Sequence, residues 1–415
     1  MNTEHHSGLE KRRPAPDAAG VRPLARTLAG ATTLQIMPAL NDEPEVRAAL
    51  HISGALLRAG ARSLIASGGG PLVSEFHALG GEWIPFANAH VNRWNLGRAA
   101  NALEEITIAE RIDIIHALSA GGAASAQVVR ERRPLRMVTS LPDALVKRTW
   151  FDNRSLEALA HGERIIVHSA FMAGPIIEQY DMPRDRIVVI PHSIDTIKFD
   201  PATVHPEHTA GIRDAWRVRA GERVFLAPGR IGPESGHIAL VDAVRVLLNG
   251  GLRGAIFVIP RDDEGDPKQI RSVAERAAAQ GVDGLFRFSN PPADMLTLRC
   301  AADIIVVPAI EPPTDGRIVA EAQALARPVI ASANGVLPEN LLASPRIANE
   351  SRTGWLVRPG DPVSLARAIG AALTLEETVL RAHGVRARQF AEATFSPQSV
   401  AAGTLAVYTS ILGGG

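Results

Sequence analysis

The residues best suited to chemistry in the second half of the chain follow a short apolar run. Residues 225–227 lead into Pro228-Gly229-Arg230, and Gly236 then precedes a stretch with helical spacing. An arginine after a strand and a glycine before a helix can bind an anion, because the unpaired N–H groups and the dipole of a helix N-terminus favour negative charge. The alternative is that Arg230 pairs with a surface carboxylate.

Three further candidates lie in the first half. His116 lies near the end of the apolar run 112–118, and Asp143 lies in the turn 139–143 after the next run. His192 comes directly after the apolar run that ends at Pro191. For His116 two interpretations stay open: contact with a ligand, or a strand-end histidine whose hydrogen bonds are satisfied within the protein. The turn Ser67-Gly68-Gly69-Gly70 is a weak phosphate signal, since no lysine-bearing phosphate loop follows it.

Elements that position these residues alternate along the whole chain. Short Val- and Ile-rich runs separated by helical stretches are typical of parallel strands buried on both faces in βαβ units. The class is therefore α/β, with one open parallel sheet in each half. Ligands bind beyond the carboxyl ends of such strands, so two facing sheets predict one deep site between domains. The predicted strands are 33–40, 63–67, 112–118, 136–140, 164–169 and 186–191, then 223–228, 254–260, 285–289, 303–308, 327–332 and 355–357.

Domain limits follow from interruptions of this rhythm. The stretch 1–30 is polar and Arg-rich and is expected to be a disordered tail. The polar stretch 200–208 separates a first Rossmann-like domain, 31–205, from a second one, 206–396. We expect a last helix within 397–415 that crosses back to the first domain.

Composition excludes several classes of protein. Lys plus Arg and Asp plus Glu each number 44 in 415 residues, so no net field attracts nucleic acid or an anionic membrane. Cys300 is the only cysteine, which excludes an intramolecular disulfide and fits a reducing, cytoplasmic compartment. No apolar run reaches the roughly 20 residues of a membrane span, so membrane contact is expected to be peripheral, at the inner face.

A cluster of carboxylates at 262–266 could suggest a cation site. A charged run in a glycine-containing turn after a strand is more often solvated surface, so no metal ligand is predicted there.

The order of landmarks from about Leu34 to Ala406 resembles glycosyltransferase family 4, which implies the GT-B fold: two Rossmann-like domains facing across a cleft. In that family an arginine and a lysine at the positions of Arg230 and Ser235 neutralise the diphosphate of a nucleotide-sugar, and the resemblance also assigns Gly229 to the donor site. Glu321 occupies the position of a glutamate that binds the donor ribose. Gly316 and Arg317 match residues that shape the phosphate and sugar pocket, and the acceptor or sugar side implicates His116, Asp143 and His192.

Several positions depart from the family pattern. The first glutamate of the paired motif would stand at Pro313, eight positions before Glu321, so Glu311 is the candidate replacement. Asn41-Asp42-Glu43-Pro44 stands where a glycine pair lets backbone approach phosphate, and two acidic residues there would repel it. A His-Gly pair is absent near Asp143, and Ser235 replaces the lysine.

The resemblance implies a retaining transfer of a hexosyl unit from a nucleotide-sugar to a saccharide or lipid-linked acceptor, with Arg230 and Glu311 as catalytic candidates. No cofactor and no metal is expected, because cations and helix ends would stabilise the diphosphate. The alternative is a catalytically impaired GT-B paralogue that serves as the partner subunit of an active glycosyltransferase.

Overall fold

In the computed structural model of the protein, the described residues are 27–87, 91, 94–141, 157–251, 253–261, 266–289 and 295–413. They form two parallel sheets flanked by helices, which confirms the predicted α/β class with two Rossmann-like halves. No helix in the described part of the chain is long and apolar enough to cross a membrane.

The first sheet has the strand order β3-β2-β1-β4-β5-β6-β7 among the described residues, and each neighbouring pair is parallel. Its strands are β1 (Thr32–Ile36), β2 (Arg62–Ser67), β3 (Glu82–Pro85), β4 (Ile114–Ala117), β5 (Arg136–Ser140), β6 (Arg164–Val167) and β7 (Ile187–Val189). Every residue of β1 is buried, as expected for a central strand covered on both faces. The edge strand β3 was not predicted, because Glu-Trp-Ile-Pro is short and only half-buried and so lacks an apolar run.

The second sheet has the order β10-β9-β8-β11-β12-β13, again all parallel. Its strands are β8 (Arg223–Leu226), β9 (Ala255–Pro260), β10 (Phe286–Ser289), β11 (Ile304–Val307), β12 (Val329–Ser332) and β13 (Gly354–Val357). Each lies within a residue or two of a predicted strand, because fully buried strands leave the clearest apolar runs.

Helices connect the strands on both faces of each sheet. They are α1 (Pro44–Arg58), α2 (Val73–Ala78), α3 (Leu96–Ala109), α4 (Ala120–Arg132), α5 (Ala170–Tyr180), α6 (Pro206–Ala215), α7 (His237–Asn249), α8 (Pro267–Ala279), α9 (Met295–Ala301), α10 (Arg317–Ala324), α11 (Pro362–Leu373), α12 (Glu377–Phe395) and α13 (Pro397–Gly413).

The terminal helix α13 packs on the first sheet and on α1. Val407, Tyr408 and Ile411 lie in one buried cluster with Leu56 of α1 and Ile114 of β4. The first core is therefore completed by residues from the far end of the chain.

Candidate active site

The strand order places a crevice at the carboxyl end of each sheet. In the first sheet the strand order changes direction between the neighbours β1 and β4: successive strands are added on one side of β1 and then on the other. In the second sheet the same change lies between β8 and β11. Parallel sheets bind ligands at such switch points, because the loops after the two strands diverge and leave a gap. The candidate residues after β8 and β11 thus share one crevice.

The loop after β8 brings the cation of Arg230 to this crevice. Gly229 has a φ of +110°, a conformation that favours glycine, and a Cβ there would lie 3.4 Å from Ile318 at the start of α10. Arg230 is exposed, and no described residue gives its guanidinium an ion pair or hydrogen bond. The surface ion pair considered for Arg230 is therefore not formed within the described part of the chain.

Ser235 holds the turn before α7 together. Its hydroxyl oxygen lies 2.7 Å from the carbonyl oxygen of Gly232 and 2.7 Å from Nδ1 of His237, and it accepts a hydrogen bond from the Gly232 amide. Burial lowers the pKa of His237 to about 4, so its neutral ring donates from Nε2 to the Ala227 carbonyl, 3.3 Å away. Ser235 thus contributes loop geometry at the position where a lysine would contribute charge.

Gly236 lets this turn approach the loop after β11. Its φ is +78°, and a Cβ there would lie 1.9 Å from the carbonyl oxygen of Pro308. The amides of Ile310 and Glu311 donate to the Glu234 carbonyl oxygen at 2.8 Å and 3.3 Å. The two loops therefore form one unit, and the Glu311 amide is already bonded within it.

Glu311 itself is exposed, and no described residue bonds its carboxylate. The loop beyond it, with Pro312 and Pro313, is held by Gly335, whose φ is +57° and where a Cβ would lie 2.3 Å from the Pro313 carbonyl oxygen. The Val336 amide donates to that same oxygen at 3.0 Å. The loop is shaped by these contacts, and it leaves the Glu311 carboxylate available to a ligand.

The N-terminus of α10 combines positive and negative groups. Asp315 accepts hydrogen bonds from the Arg317 amide at 2.8 Å and from Arg317 Nε at 2.9 Å. Gly316 is required here, because a Cβ would lie 2.1 Å from Nδ2 of Asn340, which donates to the Gly316 carbonyl oxygen at 3.1 Å. A diphosphate bound at this helix end would have to displace the Asp315 carboxylate.

Glu321, one turn further along α10, is paired with a cation. Its Oε2 lies 2.6 Å from Nη1 of Arg299, and the two side chains are 18% and 13% exposed. Burial raises the pKa of Glu321, and the charge of Arg299 offsets part of that rise. A ribose hydroxyl would compete with Arg299 for this carboxylate.

Two contacts join the domains beside the crevice. Arg317 Nη1 lies 3.2 Å from Oε1 of Glu45 at the start of α1. The Glu339 carboxylate accepts hydrogen bonds from the Ala170 and Phe171 amides, at 2.7 Å and 2.8 Å, and so caps α5 from the opposite domain. Both contacts join segments that follow the carboxyl ends of strands in the two sheets.

A cavity of about 290 Å³ opens at the switch point of the first sheet. It is lined by residues after β1, β4, β5 and β6 and at the start of α1, namely Met37, Pro38, Ala39, Asn41, Glu43, Glu45, Val46, Leu118, Ser140, Leu141 and His168. The neighbouring turn 67–70 packs on the first loop: a Cβ at Gly70 would lie 2.5 Å from the Leu40 carbonyl oxygen. This glycine-rich turn therefore supports the cavity wall.

The acceptor-side candidates have different positions. His116 is 2% exposed; its Nδ1 lies 2.7 Å from the Tyr408 hydroxyl and its Nε2 lies 2.8 Å from the Ser140 hydroxyl. With both ring nitrogens bonded inside the protein, the ligand contact proposed for His116 is corrected to the alternative, a satisfied strand-end histidine. His192 stacks on His168, with ring centroids 3.8 Å apart, beside the cavity. Asp143 lies outside the described residues.

Of the carboxylates considered for a cation, Asp262, Asp263 and Glu264 lie outside the described residues. Asp266 caps α8 by accepting a hydrogen bond from the Lys268 amide at 2.9 Å.

Several site residues escaped sequence reasoning, among them Arg299, Asp315 and His168. Asp315 carried a usable signal, since an aspartate often accepts a hydrogen bond from the backbone amide two residues further on, here that of Arg317. Arg299 and His168 reach the site through tertiary packing, and no local spacing indicates that.

Comparison with known proteins covers both halves of the chain. The family described as Glycosyltransferase Family 4 matches residues 46–198. The family described as Glycosyl transferases group 1 matches residues 222–374.

Curated relatives include D-inositol 3-phosphate glycosyltransferases. The protein of Nocardia farcinica is 28% identical over 260 residues, which are 62% of this chain and 54% of the relative. The protein of Corynebacterium efficiens is 31% identical over 212 residues, 50% of this chain and 47% of the relative. The chain thus spans about half the length of the curated relatives it matches.

Solved structures share the architecture over nearly the full chain. A glycosyltransferase from Rickettsia africae superposes with a TM-score of 0.71 at 25% identity, covering 92% of this chain and 99% of that one. Anabaena HepE in complex with UDP gives a TM-score of 0.68 at 16% identity, covering 92% and 100%.

Proposed function

Because the chain belongs to glycosyltransferase family 4, we propose that it moves a hexosyl unit from a nucleotide-sugar to a saccharide or lipid-linked glycan acceptor, with retention at the anomeric carbon. One observation carries this proposal: the two strand-end crevices meet at the Arg317–Glu45 contact. Arg230, which pairs with none of the described residues, lies on one side of this contact, and the cavity lies on the other. One sheet then holds the donor and the other the acceptor.

On the donor side, Arg230 stabilises the departing diphosphate. An exposed guanidinium that pairs with no carboxylate among the described residues can form charge-assisted hydrogen bonds to phosphate oxygens without breaking a pair seen there. Gly229 lets the backbone pass close to the ligand, and Arg317 adds a second cation once the diphosphate replaces Asp315 and Glu45 as its partner. With two arginines and a helix end, the reaction proposed here uses neither a metal nor a cofactor.

At the reacting centre, the bond from the anomeric carbon to the diphosphate breaks while the acceptor oxygen bonds to the same face, and the hydroxyl proton leaves with the diphosphate. Glu311 is the carboxylate assigned to the transferred sugar, since it follows β11 at the switch point and has no described partner. Glu321 binds the ribose when the hydroxyls replace part of the Arg299 contact.

A second function is favoured by the groups already engaged within the site. Glu321 is paired with Arg299, Asp315 is bonded to Arg317 at the start of α10, and Ser235 supplies no charge. These contacts suit a catalytically impaired paralogue that binds a nucleotide weakly and acts as the partner subunit of an active glycosyltransferase.

A donor panel separates the two functions. The whole chain is titrated with UDP-, GDP- and ADP-sugars, and release or transfer of the sugar is then assayed with saccharide and lipid-linked acceptors. The enzyme proposal expects saturable binding of one donor and its consumption. Binding without any transfer or donor hydrolysis across the panel would leave the partner-subunit function. A cytoplasmic location, with peripheral contact at the inner membrane face for a lipid-linked acceptor, belongs to the same proposal.

The curated relatives are named for a phosphorylated compound, D-inositol 3-phosphate. For this chain, the lining of the cavity at the start of α1 indicates which kind of acceptor could bind.

A further inference from the structure

The cavity of the first domain is lined by two kinds of side chain. The lining includes apolar side chains, among them Met37, Leu118 and Leu141, and polar ones, among them Asn41 and Ser140. A sugar or cyclitol ring has the matching character, since its C–H faces pack on apolar side chains and its hydroxyls bond to carboxylate, amide and hydroxyl groups. The cavity volume of about 290 Å³ suits one such ring.

The charge of the cavity is negative on the α1 side. Glu43 and Glu45 both line it. Glu45 is neutralised by Arg317 across the crevice, whereas no ion pair joins Glu43 to any described residue. Asp42, next to them, is bonded to Arg47, and Arg47 also binds Glu75, so this cation faces two carboxylates.

The start of α1 lacks the features with which a helix end binds phosphate. Pro44 occupies the first turn and supplies no N–H group. Glu43 at the N-cap and Glu45 in the first turn place carboxylates at the positive end of the helix dipole, where an anionic ligand would otherwise lie. The backbone and the side chains of this helix end therefore both oppose a phosphate group.

We propose that this cavity selects an uncharged, polyhydroxylated acceptor ring and discriminates against its phosphorylated form, with Glu43 as the residue that determines the discrimination. The proposal rests on the proposed function, because it gives the acceptor class of the same site. His168 lines the cavity. A hydrogen bond of 3.1 Å between its Nδ1 and the Ile190 carbonyl oxygen, together with stacking on His192, holds its ring in place.

The test measures binding without a donor, so that it does not depend on turnover. The whole chain is titrated calorimetrically with two matched pairs of probes: inositol and inositol 3-phosphate, and glucose and glucose 6-phosphate. Hydrogen exchange of residues 37–46 and 140–141 locates the binding. At least one neutral probe is expected to bind and protect these segments, with its phosphorylated partner about tenfold weaker or more at low salt, because like charges repel at short range.

Charge variants then assign the discrimination. Glu43→Gln should reduce the preference for the neutral probe severalfold, and Glu43→Lys should remove or reverse it. Glu105→Gln, the same change on an exposed glutamate of α3 far from the cavity, should leave the preference as it is.

Three results would overturn the proposal: phosphorylated probes that bind as tightly as the neutral ones, a preference that Glu43→Lys does not change, or no neutral probe that binds the cavity. The proposed function fails by a different result, the absence of donor binding and transfer. If the protein binds neutral rings at this cavity but neither binds nor consumes a nucleotide-sugar, the proposed selectivity of the cavity stands and the proposed transferase activity fails.

Discussion

Arg299 and Glu321 form an ion pair 2.6 Å long between α9 and α10, with both side chains largely shielded from solvent. The pair connects a residue that sequence reasoning selected to one that it missed. Because the pKa of Glu321 is raised by burial despite the nearby cation, the site already favours the neutral form of this side chain relative to water.

Removal of either partner should destabilise the protein, but only the loss of Arg299 should depend on pH, because the remaining carboxyl group can take up a proton and a guanidinium cannot lose one. Glu321→Gln leaves the largely buried Arg299 without a counter-charge and should cost about 1–3 kcal/mol of unfolding free energy at pH 7. Arg299→Met leaves the carboxylate without its cation and should cost about 2–4 kcal/mol at the same pH.

Denaturant titration of both variants measures this asymmetry. A raised carboxyl pKa means that the folded state binds the proton more tightly than the unfolded state, so stability rises as the pH falls through the folded pKa. The cost of Arg299→Met should accordingly shrink on acidification toward pH 4. A cost of Arg299→Met that does not change between pH 7 and pH 4 would contradict the description of the pair.

Arg230 offers a separation of binding from stability. Since its side chain is exposed and has no described partner, Arg230→Ala should leave the unfolding midpoint nearly unchanged. The loss of one charge-assisted contact should weaken nucleoside diphosphate binding about 10- to 100-fold. Calorimetric titration with UDP, GDP and ADP checks this, with Arg245→Ala on the exposed face of α7 as the matched control.

Glu311 tests the chemical step. If its carboxylate acts on the transferred sugar, Glu311→Gln should lower kcat at least 100-fold while the donor affinity, set by Arg230 and Glu321, changes little. Steady-state kinetics and direct donor binding supply the two numbers. Equal loss in both quantities would assign Glu311 to donor binding.

His116 makes the stability of the first domain depend on pH. Burial lowers its pKa to about 3, whereas an unfolded histidine titrates near 6.5, so between these values only the unfolded state takes up the proton. Stability should fall by about 1.4 kcal/mol per pH unit as the pH decreases from roughly 6.5.

Replacing His116 by Gln should flatten this dependence between pH 6.5 and pH 5, although the variant starts from lower stability because Tyr408 and Ser140 lose their partner. Unfolding curves at half-unit pH intervals give the slopes. His237, also buried, contributes in the same direction with a pKa of about 4 and remains in both proteins.

The Glu339 cap on α5 predicts a mechanical effect. Glu339→Gln weakens two charge-assisted hydrogen bonds that cross between the domains, so the population of open molecules should increase. Small-angle scattering should show a larger radius of gyration, and Glu350→Gln, an exposed change in the same domain, should not alter it. An unchanged scattering profile would contradict a role of the Glu339 cap in holding the two domains together.

The strands could be predicted because burial on both faces imposes continuous apolar runs such as 304–307 and 329–332. The donor-side loops could be placed because a strand end and a glycine are local signals. His116 is different: its partner Tyr408 lies 292 positions away, and only the packing of α13 on the first sheet brings the two together. The same reason hides the Arg299–Glu321 pair, which depends on how two helices approach each other.

The packing of α13 also orders events during synthesis. Tyr408, Ile411 and Leu412 are buried in the first domain's core, yet they are translated after the entire second domain. Until residues 407–412 have been translated, a nascent first domain should therefore expose an apolar face along α1 and β4, and chaperones that bind exposed apolar surface should recognise that face.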